Sequence, residues 1–94
     1  MFEKFPFKDE KNTAAITCRH IIKDRREILY VSHDEDDGMW QFLCGEPHEA
    51  DEAMIVSLHE IFMHDHSVAA IAELPLGCEA ERKDGNSEWI ARQK

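Results

Sequence analysis

Between Val31 and Glu81 the chain contains neither lysine nor arginine. The same stretch holds thirteen Asp or Glu, a formal charge of −13, together with five of the six histidines. Residues 1–30 set seven bases against five acids and residues 82–94 set four against two, so each flank carries +2 and the 94-residue chain −9. Without a cationic stripe in the middle, direct binding to a phosphate backbone is disfavoured. Such an acid surplus suits either a solvated, solubilising surface or a surface that meets a basic partner. Long apolar runs are missing too, and no segment approaches the roughly 20 residues of a membrane span. Charges at Glu3, Lys4, Lys8, Asp9, Glu10 and Lys11 interrupt "MFEKFPFKDEKN", so no secretory signal is read there. Cysteine is scarce: Cys18, Cys44 and Cys78 are odd in number and far apart. They are expected to be reduced thiols of a cytoplasmic protein rather than a disulfide framework. There is no internal repeat and no low-complexity segment. The length fits a single domain over 1–94 with one modest core, residues 1–12 being the candidate for a flexible N-terminal segment.

What is present is a set of short elements. "AAITC" (Ala14 to Cys18) reads as a strand and "RHIIKDRRE" as a turn or one helical turn. "ILYVSH" and "MWQFLC" are β-rich runs around "DEDDG", the length and glycine of a hairpin loop, with Gly38 free to take positive φ. If His33 pairs with Met39, Tyr30 faces Phe42 and Ser32 faces Trp40 on one side, and Val31 and Leu43 share the other. Both faces would be largely apolar, as in a hairpin central to a sheet. "GEPHEADEA" is a polar connection, after which "MIV" leads into Ser57. With Glu60 three residues on, Ser57 forms a capping-box signature for a helix that breaks near His64. Asp65 or Ser67 caps a second segment whose apolar face is Val68, Ile71 and Ala72, and Leu74-Pro75 ends it. "CEAERK" and "SEWIARQ" flank "DGN" as a second hairpin. The expected fold is α+β, a small antiparallel sheet of two hairpins with one or two helices packed on it.

Four chemistries can be weighed. Taking Gly38 as the sixth position of a calcium loop places His33 first and Cys44 twelfth, where a bidentate Glu is needed, so the acidic run reads as a solvated turn. "HEIFMH" separates His59 and His64 by five residues, about 500° of helix, which splits the rings by roughly 140° and fails the zinc-protease pattern. Cys18, His20, Cys44, His48 and Cys78 are zinc-ligand types but lack paired short spacings, so buried structural cysteines are the better reading. A cysteine nucleophile beside a histidine has no local signature to single it out. Tyr30, Trp40, Phe42 and Phe62 read as core.

The segments "ITCRHII", "ILYVSHDEDDGMWQFLCG", "SLHEIF", "LPLGCEAER" and Trp89, in that order, resemble the immunity protein 33-like domain family over about Ile16 to Trp89. The hairpin with Asp36-Asp37-Gly38, Trp40, Phe42 and Gly45, and the "LPLG" turn, carry most of the resemblance. It implies a small bacterial α+β domain, some of whose relatives are assigned as immunity proteins that neutralise a toxin; it brings no catalytic residues. The expectation is therefore a non-enzymatic, cytoplasmic binding module without cofactor or structural metal. Asp34, Glu35, Asp36 and Asp37 would meet a basic protein surface, that of a toxin in the immunity-type version. A housekeeping or regulatory domain whose acidity serves solubility, and a small metalloprotein, are the alternatives.

Overall fold

The computed structural model describes residues 5–45 and 52–94. Six strands, β1 (Ala14–Cys18), β2 (Tyr30–His33), β3 (Trp40–Leu43), β4 (Ala53–Ser57), β5 (Cys78–Glu81) and β6 (Ile90–Gln93), form one sheet in the order β4-β1-β3-β2-β5-β6. Helix α1 (Arg19–Asp24) follows β1, and α2 (Leu58–His64) follows β4. A 3₁₀ helix (His66–Ile71) completes the set. The fold is α+β as the sequence implies, with two differences: β1 and β3 run parallel, so the sheet is mixed, and "MIV", read only as a lead into the helix, lies in a strand, β4. Both expected hairpins are present, β2–β3 and β5–β6. Most of the polar connection "GEPHEADEA", including His48, lies outside the described residues.

The first hairpin has a different register from the expected one. His33 pairs with Trp40, Ser32 with Gln41, Val31 with Phe42 and Tyr30 with Leu43. The loop is six residues, not five, because Met39 joins "DEDDG" inside it: the Asp34 amide donates to the Met39 carbonyl and the Gly38 amide to the Asp34 carbonyl, each at 2.9 Å. Gly38 takes φ 72°, the left-handed value expected of it. Because side chains alternate with period two, the one-residue shift re-sorts the faces. Val31, Phe42, His33 and Trp40 now share one side, joined by Ala15 and Thr17 of β1 through the parallel pairing. The Thr17 hydroxyl donates to the Phe42 carbonyl at 2.7 Å, which satisfies the one polar group on that strand's buried face.

Trp40 is the centre of this side. Its ring stacks on His33 at 3.9 Å and meets the edge of Phe7 at 5.1 Å, and Phe42 lies at 5.8 Å. The His33 Nδ1–H donates to the Leu74 carbonyl at 2.7 Å and so carries the "LPLG" turn to the hairpin. Phe7, from the segment before β1, belongs to the buried cluster with Ile21, Ile28, Leu58, Ile61, Phe62, Val68 and Ile71. The helices behave as their sequence dictates. Ser57 Oγ accepts the Glu60 amide at 3.0 Å and starts α2, and Asp65 accepts the Ser67 amide at 2.9 Å and starts the 3₁₀ helix. Val68, Ile71 and Ala72 are buried as the spacing requires.

Arg82, at the boundary between the acidic middle and the basic end, is buried. Its guanidinium donates to the Ile28 carbonyl, the Ser67 hydroxyl and the Asp65 carboxylate, each at 2.9 Å, and stacks over Trp89 at 4.1 Å. One side chain thereby ties the cap of the 3₁₀ helix to the start of β2 and to the second hairpin. Two stability changes are expected. Trp40→Ala should cost about 3–5 kcal/mol in chemical denaturation, most of the stability of a domain this small. A loss under about 1 kcal/mol would mean that Trp40 is not a core residue. Arg82→Ala should cost about 3 kcal/mol, because it strands the Asp65 carboxylate and the Ile28 carbonyl, while Arg82→Lys recovers only part of this for want of the planar fork.

Candidate functional site

Two places gather side chains able to do chemistry. The first is the tip of the β2–β3 hairpin, where the sequence puts Asp34, Glu35, Asp36 and Asp37. The structure divides these four by role. Asp34 is half-buried and engaged: its carboxylate accepts from Gln41 at 2.7 Å and from Ser32 at 3.4 Å, and pairs with the Lys94 ammonium. Burial alone would raise the Asp34 carboxyl, but the bonds from Lys94 and Gln41 and the lysine's charge outweigh it and hold its pKa below the ordinary value. Asp37 is exposed, and its carboxylate accepts the Met39 amide at 2.9 Å, an Asx turn that supports the loop. Glu35 and Asp36 are exposed, with Glu35 lying over Gly77. Gly77 holds φ 81°, and its amide donates to the His33 carbonyl at 2.7 Å. This φ is what calls for glycine here; a Cβ would approach only the flexible end of the exposed Glu35 side chain.

Beyond the tip, the cations of the C-terminal flank fold back onto the acidic segment. Arg92 on β6 pairs with Glu79 at 2.8 Å and Glu81 at 2.7 Å, both on β5. The Tyr30 hydroxyl donates to Glu79 at 2.7 Å; this bond and Arg92 lower the Glu79 pKa against the effect of burial, while burial and the same carboxylate raise that of Tyr30. What is left as a solvent-facing anionic surface on this edge is Glu35, Asp36 and Asp37.

The second place is at the opposite end of β3. Among the described residues, Cys18, His20 and Cys44 are the group of three metal-ligating side chains whose donor atoms all lie within 4.8 Å of one another. Cys18 ends β1 and Cys44 follows β3; since these strands are parallel, their carboxyl ends sit at the same edge of the sheet. His20 stands in the first turn of α1, with Nδ1 3.6 Å from Cys44 Sγ and Nε2 2.8 Å from the Glu52 carboxylate. Of the five ligand-type residues noted in the sequence, three converge, Cys78 lies apart on β5, and His48 is outside the described residues. Glu52 had no sequence signal, because it belongs to a polar connection rich in acids. His59 and His64 stand near the two ends of α2, and His59 lies near Phe5 at 6.2 Å.

Comparison with protein-family models, with curated proteins and with solved structures finds no match for this chain. None of the described helices is long and apolar enough to cross a membrane.

The Asp34 arrangement has a pH consequence. Its folded-state pKa lies below the ordinary 3.8, so its contribution to stability is present above the unfolded value and is lost as pH falls through the folded one. Asp34→Asn should cost about 1 kcal/mol at neutral pH. The difference from the parent should shrink to near zero under strongly acid conditions in a pH series of urea melts. A difference constant across that series would exclude an ionic role for Asp34.

Proposed function

We propose that this chain is a non-enzymatic binding module that presents Glu35, Asp36 and Asp37 on a fixed hairpin tip to a basic surface of another protein. The supporting observation is the division of labour within "DEDDG": Asp34 holds the loop through Lys94 and Gln41, Asp37 supports it through the Met39 amide while staying exposed, and Glu35 and Asp36 face solvent. A loop held in this way offers charge without an ordering cost on association. A carboxylate array of this kind suits the cationic cleft of a nucleic-acid-processing toxin, which it would occlude, and opposite potentials accelerate encounter. The resemblance of the hairpin and the "LPLG" turn to the immunity protein 33-like domain family points to the same immunity-type role in a bacterial cytoplasm.

The test uses Glu35→Gln/Asp36→Asn, which spares both residues that hold the loop. Stability should stay within about 0.5 kcal/mol of the parent. The association rate with the basic partner, identified by affinity capture in the native host, should fall on the order of tenfold at low salt. The parent's rate should itself decline as salt screens the field. Equal rates for the two proteins, flat with ionic strength, would reduce the tip to a solubilising turn.

A further inference from the structure

We propose that Cys18, His20 and Cys44 form a binding site for a thiophilic divalent cation of the zinc type, with Glu52 orienting the imidazole. In a tetrahedral site with Zn–S near 2.3 Å and Zn–N near 2.0–2.1 Å, adjacent sulfur and nitrogen ligands stand roughly 3.6 Å apart and two sulfurs roughly 3.8 Å. His20 Nδ1 and Cys44 Sγ are separated by 3.6 Å. No other edge of the triangle exceeds 4.8 Å, so about 1 Å of side-chain movement closes it. The donor set is also selective. Two sulfurs and an imidazole suit zinc and its softer neighbours, whereas calcium and magnesium take oxygen.

Glu52 separates this arrangement from three polarisable side chains that happen to be packed together. A neutral imidazole has one donor nitrogen and one acceptor nitrogen. With Nε2–H donating to the Glu52 carboxylate, Nδ1 becomes the acceptor, and it is the nitrogen on the sulfur side. A carboxylate behind a ligating histidine is how metal sites fix the ring and raise its basicity. Reading the cysteines as small apolar core residues explains their burial, 1% exposed for Cys18 and 4% for Cys44, but not an imidazole aimed at sulfur with a carboxylate at its back. His20 and Glu52 are about one-fifth exposed, which gives an ion a route in from solvent. On binding, both thiols ionise and release their protons to water as the metal takes their place. The absence of short ligand pairs in the sequence does not count against such a site, because two parallel strands and the helix that follows the first supply the ligands.

The same atoms could instead form an activated thiol, Cys44 relayed through His20 to Glu52. Burial of both sulfurs keeps a substrate from them and favours the metal. The experiment is a cobalt(II) titration of the full chain, stripped with a chelator and kept reduced with a phosphine. A sulfur-to-cobalt charge-transfer absorption should saturate at one equivalent, vanish when zinc is added, and be absent in Cys44→Ser. It should persist in Cys78→Ser. Glu52→Gln, a partly exposed change that leaves the ligands in place, should weaken cobalt binding about 10–100-fold in a chain that still folds. No such absorption from the folded parent, or an equal one from Cys44→Ser, would overturn the proposal. So would rapid alkylation of Cys44 by iodoacetamide in a protein that binds no cobalt.

Discussion

The parallel pairing of β1 with β3 is the constraint on which the rest of this molecule depends. It puts Ala15 and Thr17 beside Trp40 and Phe42, so that one face of the sheet becomes the core wall on which Phe7 and the two helices pack. A parallel pair cannot be closed by a tight turn, and the chain between the two strands must make a crossover. Here α1 and β2 fill that connection, and β2 returns on the far side of β3 as its hairpin partner. The carboxyl ends of β1 and β3 therefore share an edge. Cys18, His20 and Cys44 meet there, and the start of β4, paired antiparallel to β1 with Ala53 opposite Cys18, brings Glu52 to the same edge.

Charge follows the same geometry. A domain with −9 over 94 residues repels itself, and the sheet order limits that repulsion by placing β6 next to β5. Arg92 then reaches Glu79 and Glu81 across the β5–β6 hairpin, and Lys94, sixty residues away in sequence, reaches Asp34 at the tip of the first hairpin. Exposed pairs of this kind contribute little each, and their effect here is chiefly on which acids remain unneutralised. Arg82 is different in kind, because its side chain is buried and its charge is met there by the Asp65 carboxylate and the buried Ile28 carbonyl. The acidic tip and the sulfur cluster lie at opposite ends of β3.

Local signals in the sequence were enough for the elements. Ser57 and Glu60 specify where α2 begins, Asp65 where the 3₁₀ helix begins, and Gly38 the turn, because each acts through groups within a few residues of itself. The hairpin was legible as a hairpin, but its register was not. Whether the loop holds five residues or six depends on two backbone bonds, from Asp34 to Met39 and from Gly38 to Asp34, that leave no trace in composition. The tip acids could be named but not sorted, since their partners Gln41 and Lys94 come from the next strand and the far end of the chain.

By itself, then, the sequence determined the class of fold, the places where helices and turns start, much of the core and the sign of the net charge. These are properties of local periodicity, capping chemistry and counted charge. The same signals read Tyr30 as core, where the structure leaves it half-buried with its hydroxyl on Glu79, and did not foresee Phe7 as a core residue. The tertiary structure alone decided that the sheet is mixed, that Arg82 is interior, that Asp34 supports the loop instead of projecting from it, and that Cys18, His20, Cys44 and Glu52 belong to one place. Each of these rests on strands brought together across tens of residues, where the pairing is settled by burial of the whole sheet and not by any residue near the site.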